Sequence, residues 1–182
     1  MPATDAFPPS LLLTLAFAAA LAVQLLLKLW LSSRQVRHVA MHRSAVPAPF
    51  ADRISLAAHQ KAADYTLAKA RLGMVQLALS TAMLLAWTLL GGLDALHQLL
   101  LSKIGAGLAQ QLALLGSFAL VSGVVELPLS YYQTFVLEQR FGFNQMTPRM
   151  WLGDLLKSTL VGTLIGLPLA AAVLWPMHAT GS

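Results

Sequence analysis

The 182-residue chain contains no cysteine, which excludes a disulfide framework, a thiol nucleophile and a thiolate metal site. It is also poor in charge. Only 10% of its residues are Asp, Glu, Lys or Arg, against about 25% in soluble domains, while 57% are hydrophobic. Seven acidic and twelve basic side chains are too few to coat a water-soluble core of this length, so the composition argues against a soluble globular enzyme. The net charge of +5 does not point to nucleic acid either. Lys28, Arg34, Arg37, Arg43, Arg53, Lys61, Lys69 and Arg71 crowd into one stretch, the distribution that membrane topology produces.

What is present is long apolar runs. The first, Leu11 to Leu31, is interrupted only by Thr14, Gln24 and Lys28 and is long enough as a helix to cross a bilayer. Its leader carries one Asp, no Lys or Arg and a Pro8-Pro9 pair, so it reads as a retained anchor rather than a cleaved signal. Further spans are expected at 72–90, 108–129 and 155–176, the second ended by Gly91-Gly92 and the fourth marked at its outer interface by Trp175. Pro47 and Pro49 break any helix in the first polar segment, and Ser55 caps a new one that runs on into the second span. Leu93, Leu96, Leu99, Leu100 and Ile104 recur at helical spacing and predict a short interfacial helix. The predicted fold is all-α: a polytopic integral membrane bundle of about four transmembrane helices, with a cytoplasmic helical extension and an interfacial helix, in one domain over 1–182.

Charge orients it. Segments 32–71 and 130–154, with their flanks, hold every basic residue but Lys103, so both are expected in the cytoplasm and both termini outside. The Ala- and Leu-rich composition suggests a bacterial inner membrane. No internal repeat supports a transporter.

Little sequence-local chemistry emerges. His38 and His42 have the four-residue spacing of paired zinc ligands, but position 39 is Val, no third ligand is near, and Arg34, Arg37 and Arg43 would repel a cation. Glu126 and Lys157 lie at the inner ends of consecutive spans. Either both reach the headgroup layer or both line a polar cavity, pairing with each other or with a residue such as Arg140 or Asp154. Gly162 and Gly166 form a small-residue packing pattern, and Pro168 beyond them is expected to kink the span.

The strings Glu126-Leu-Pro-Leu-Ser-Tyr-Tyr-Gln-Thr-Phe-Val-Leu-Glu-Gln-Arg-Phe-Gly-Phe-Asn-Gln-Met-Thr, Asp154-Leu-Leu-Lys157 and His59-Gln-Lys-Ala-Ala-Asp-Tyr-Thr-Leu-Ala-Lys-Ala-Arg-Leu-Gly73 closely resemble the N-terminal membrane domain of the type 1 CAAX prenyl proteases. These are integral membrane zinc metalloendopeptidases. The resemblance implies helices that wall a water-filled chamber closed by a metalloprotease domain. It implies that Glu126, Tyr131, Tyr132, Glu138, Arg140, Asn144, Asp154 and Lys157 line that chamber or dock that domain. For Glu138 and Arg140, pairing with other charges near the membrane surface is the alternative. The family's His-Glu-x-x-His helix and its distant Glu ligand do not occur in the sequence, so the chain by itself is expected to bind no zinc and to cleave nothing, the zinc belonging to a downstream domain. Its expected partners are the bilayer, that domain and, for the full enzyme, a polypeptide substrate. A non-catalytic four-span scaffold or chaperone serving a separate protease is the competing reading.

Overall fold

The computed structural model describes residues 8–179, with side chains described through Pro176. The leader before Pro8 and the terminus at Ser182 lie outside the described residues. The described residues form helices joined by short turns, without a strand. The chain divides into two compact units, Met1–Leu85 and Ala86–Ser182.

In the first unit, α1 spans Pro9–Met41. Proline at the first helical position suits an N-terminus, where its missing N–H would have no intrahelical partner. The helix does not stop at the end of the apolar run near Leu31 but continues for a further ten residues, through Arg34 and Arg37. The second helix, α2, spans Leu56–Thr88, and its start is set by Ser55, whose Oγ accepts a hydrogen bond from the Ala58 N–H at 3.2 Å. Pro47 opens a short 3-10 turn at Ala48–Phe50, as its fixed φ favours. The connection is tied twice. Arg43 grips Asp64 with two parallel bonds, Nε to Oδ1 and Nη2 to Oδ2, both 2.8 Å. His59 Nε2 donates to the His42 carbonyl oxygen at 3.0 Å, occupying one of the acceptors that the end of α1 leaves open.

The second unit contains the end of α2, then α3 at Gly92–Ile104, the expected short helix. The turn into it demands glycine twice: Gly91 has φ 75°, and a Cβ on Gly92 would lie 2.7 Å from the Ala86 carbonyl oxygen. Helix α4 begins at Leu108 and packs against both α3 and α6. The helix of the third span does not end with the apolar run at 129. Helix α4 runs through Pro128 to Tyr132, then continues as a π-helical segment at Gln133–Glu138 and a final α-turn, α5, at Gln139–Phe141. The expected loop 130–154 therefore shrinks to a few residues, because polar residues in a bilayer-anchored helix can go on satisfying one another's backbone groups past the apolar boundary.

That helix ends in a Schellman motif. Gly142 takes the left-handed conformation, φ 77° and ψ 22°, with its N–H bonding to the Gln139 carbonyl at 3.0 Å and the Phe143 N–H to the Glu138 carbonyl at 2.9 Å. Helix α6, Pro148–Ala179, restarts almost at once, with Pro148 in its first position and Thr147 Oγ1 accepting from the Met150 N–H at 3.3 Å. Pro168 and Pro176 both lie inside α6.

Gly142→Ala is expected to destabilise the detergent-solubilised protein by about 1 kcal/mol, the penalty of a Cβ in the left-handed region. Gly116→Ala, where a Cβ would meet nothing within 4 Å, is expected to leave the midpoint of thermal unfolding unchanged or higher. Equal effects of the two substitutions would contradict the cap.

Candidate functional site

The segment from Tyr131 to Trp151 in the second unit holds most of the residues singled out by the sequence. Tyr131 lies one helical turn before Phe135, their ring centroids 4.7 Å apart, and both meet Trp151 from α6 nearly edge to face, at 5.8 and 6.2 Å. Such contacts add about 0.5–1.5 kcal/mol per pair beyond simple burial, so this triad clamps α4 to the start of α6. Trp151 carries no mark in its own run of sequence. The signal that it opens a helix is its setting after Thr147-Pro148, a cap followed by a first-position proline.

The π-helical winding brings residues five apart onto one side. Gln133 Nε2 donates to Glu138 Oε1 at 3.5 Å across that interval, while Leu137 and Phe141 are buried. Asn144 then fixes the short turn from the other side. Its Oδ1 accepts from the Met146 N–H at 2.7 Å, its Nδ2 donates to Gln139 Oε1 at 3.3 Å, and its backbone N–H reaches the Glu138 carbonyl at 3.3 Å. Glu138 and Asn144 are thus brought together through Glu138's backbone. The charge pairing considered for Glu138 and Arg140 is not what the structure shows: Glu138 bonds the neutral Gln133, and the Arg140 guanidinium lies over the Phe141 ring at 5.8 Å.

Glu126, Tyr132, Asp154 and Lys157 all stand exposed. Among the described residues no ion pair joins Glu126 to Lys157 or Arg140, or Lys157 to Asp154. The pairing expected from their similar depth is therefore replaced by open polar groups on α4 and α6. At the opposite end of the unit, the buried Gln110 of α4 sits with its Nε2 2.8 Å from His97 Nδ1 of α3, a contact that sequence spacing alone does not reveal.

A zinc site needs several converging donor side chains. His38 and His42 do stack, with centroids 4.3 Å apart, but His42 Nδ1 is 2.8 Å from the His38 carbonyl oxygen, which takes up one of its two nitrogens. Among the described residues no group of three or more His, Asp or Glu side chains converges. The described residues therefore do not fit a zinc site.

Comparison with known proteins follows the same lines. The family model described as "CAAX prenyl protease N-terminal, five membrane helices" matches residues 35–182. Among the described residues four helices are long and apolar enough to cross a membrane, of which the first, Pro9–Met41, lies mostly before the matched region. CAAX prenyl protease 1 of Saccharomyces cerevisiae is 48% identical over 61 residues, 34% of this chain and 14% of that protein. The CAAX prenyl protease 1 homolog of Caenorhabditis elegans is 27% identical over 162 residues, 87% of this chain and 36% of that one. The crystal structure of S. mikatae Ste24p superposes with a TM-score of 0.77 at 29% identity, covering 85% of this chain and 37% of that chain. The chain thus spans 14% of the yeast protein and little more than a third of the other two.

A thermal-stability cycle on Glu126→Gln, Lys157→Met and the double variant is expected to be additive within about 0.5 kcal/mol, as for groups that share no partner. A double variant more stable than the sum of the singles would reveal a pair absent from this arrangement.

Proposed function

Because the chain belongs to the CAAX prenyl protease N-terminal family, we propose that it is the chamber-forming membrane half of a zinc endopeptidase that cuts prenylated or membrane-associated polypeptides. The observation that carries this reading is the exposure of Glu126, Asp154 and Lys157, which have no ion-pair partner among the described residues, in the same unit as the capped turn at Gly142. An ionisable group left facing hydrocarbon costs about 2.5–3.5 kcal/mol at a helix centre, so unpaired carboxylates and an ammonium at the ends of spans favour a water-filled cavity. Tyr131, Tyr132, Glu138, Arg140 and Asn144 form the adjoining surface on which a metalloprotease domain would dock. The chain supplies walls and positioning, and the metal and the base that activates water belong to that domain.

The charge distribution supports placing segments 32–71 and 130–154 in the cytoplasm and both termini outside. The relatives named above are eukaryotic, so a bacterial inner membrane rests on composition alone. In that setting membrane polypeptides become the more natural substrates, since the relatives named CAAX prenyl proteases are eukaryotic.

The test is proteolysis by the full-length protein that carries this chain, on a farnesylated peptide with a C-terminal CAAX sequence and on an unprenylated transmembrane peptide. Cleavage of at least one, abolished by 1,10-phenanthroline and restored by zinc, is expected. No cleavage of either by folded, zinc-replete protein would overturn the reading in favour of a non-catalytic scaffold.

A further inference from the structure

We propose that Trp30, Arg34 and Arg37 on α1 form a binding site for the phosphate of an anionic phospholipid. The three positions are four and seven residues apart, so on a continuous helix they share one face. Leu26 and Leu27 extend the same face into the apolar run and are 65% and 54% exposed, as a lipid-facing stripe requires.

Depth sets the chemistry of each residue. Trp30 closes the apolar run at the level where aromatic rings favour the interface. With a rise of 1.5 Å per residue, Arg34 lies about 6 Å and Arg37 about 10 Å further along the axis. A headgroup layer is about 5–8 Å thick on each side of the hydrocarbon, so two long guanidinium side chains starting there reach the phosphates. The Arg34 guanidinium carbon sits 4.9 Å from the Trp30 ring centroid. A guanidinium stacked on a ring through its flat face keeps its N–H edge free for a forked pair of bonds to a phosphate.

Both cations are available. Among the described residues neither Arg34 nor Arg37 has a carboxylate partner, and both are exposed. The neighbouring Arg43 is different, since Asp64 already holds it with two bonds. Lys28, only two residues from Trp30, projects from the opposite side of the helix. The site is thus two arginines over an aromatic floor rather than a diffuse basic surface. It does not depend on the protease reading, because any chain anchored by α1 would present it.

The experiment is native mass spectrometry of the full-length protein released from phosphatidylcholine nanodiscs that contain phosphatidylglycerol as the minor component. The parent is expected to retain phosphatidylglycerol above its share of the bilayer. Arg34→Gln/Arg37→Gln is expected to lower its apparent affinity about 30-fold, from about 1 kcal/mol per basic residue at an anionic surface. Trp30→Leu, which keeps both charges, is expected to lower it about threefold. Arg53→Gln, in the loop, is expected to leave retention unchanged, and inorganic phosphate is expected not to displace the lipid. Retention in the double variant equal to the parent, an equal loss in Arg53→Gln, or no enrichment in the parent because polypeptide covers this face, would each overturn the proposal.

Discussion

The bilayer's inability to hydrogen-bond a peptide group governs this structure. Inside hydrocarbon every N–H and C=O must find a partner within its own helix, so each apolar run is carried by one unbroken helix: Pro9–Met41, Leu56–Thr88, Leu108–Phe141 and Pro148–Pro176. The same constraint explains why irregular backbone is confined to the ends. There it is handled by specific devices: the Ser55 and Thr147 caps, the glycine pair at 91 and 92, and the Schellman turn at Gly142. Even the departure from α geometry at Gln133–Glu138 keeps the helix continuous, since a π turn shifts bonds to the fifth residue without abandoning them.

Continuity has a functional consequence. Helices that overshoot the membrane carry their polar residues out on rigid supports rather than on loops. Glu138 is held by Gln133 beside two buried apolar side chains, and Asn144 is held by three bonds of its own. A surface fixed in this way suits the docking of a second domain, because little order remains to be imposed on binding. The open faces of α4 and α6 bearing Glu126 and Lys157 suit a wall, for the same reason that they suit nothing that packs in lipid.

Much of this was legible in the sequence. Apolar runs of about twenty residues are determined by the thickness of the bilayer, so all four spans could be read directly. Ser55, Pro47 and the Leu93–Ile104 periodicity also acted locally, and the structure keeps them where they were read. The polar extensions were not legible. Residues 32–41 are mostly polar, and in 130–141 the apolar side chains at helical spacing are interleaved with Ser130, Gln133, Thr134, Glu138, Gln139 and Arg140, so nothing local distinguishes a helix held up by its membrane anchor from a loop. The Tyr131–Phe135–Trp151 contact and the Gln110–His97 contact join different helices, and spacing along one helix carries no information about a partner on another. The membrane-domain character of the chain was legible through the inner motif between Glu126 and Lys157. The absence of pairing between those two residues was not, since equal depth does not fix which way a side chain turns.

The most direct test of a water-facing wall uses the absence of cysteine in the chain. Glu126→Cys, Lys157→Cys and Leu26→Cys variants of the full-length protein, with any cysteines beyond this chain removed, would be exposed to a membrane-impermeant maleimide in inside-out vesicles. The account predicts that Cys at 126 and at 157 is labelled from the cytoplasmic face, while Cys at 26, on the lipid-facing stripe, is not. Protection of both 126 and 157 to the same degree as 26 would contradict it.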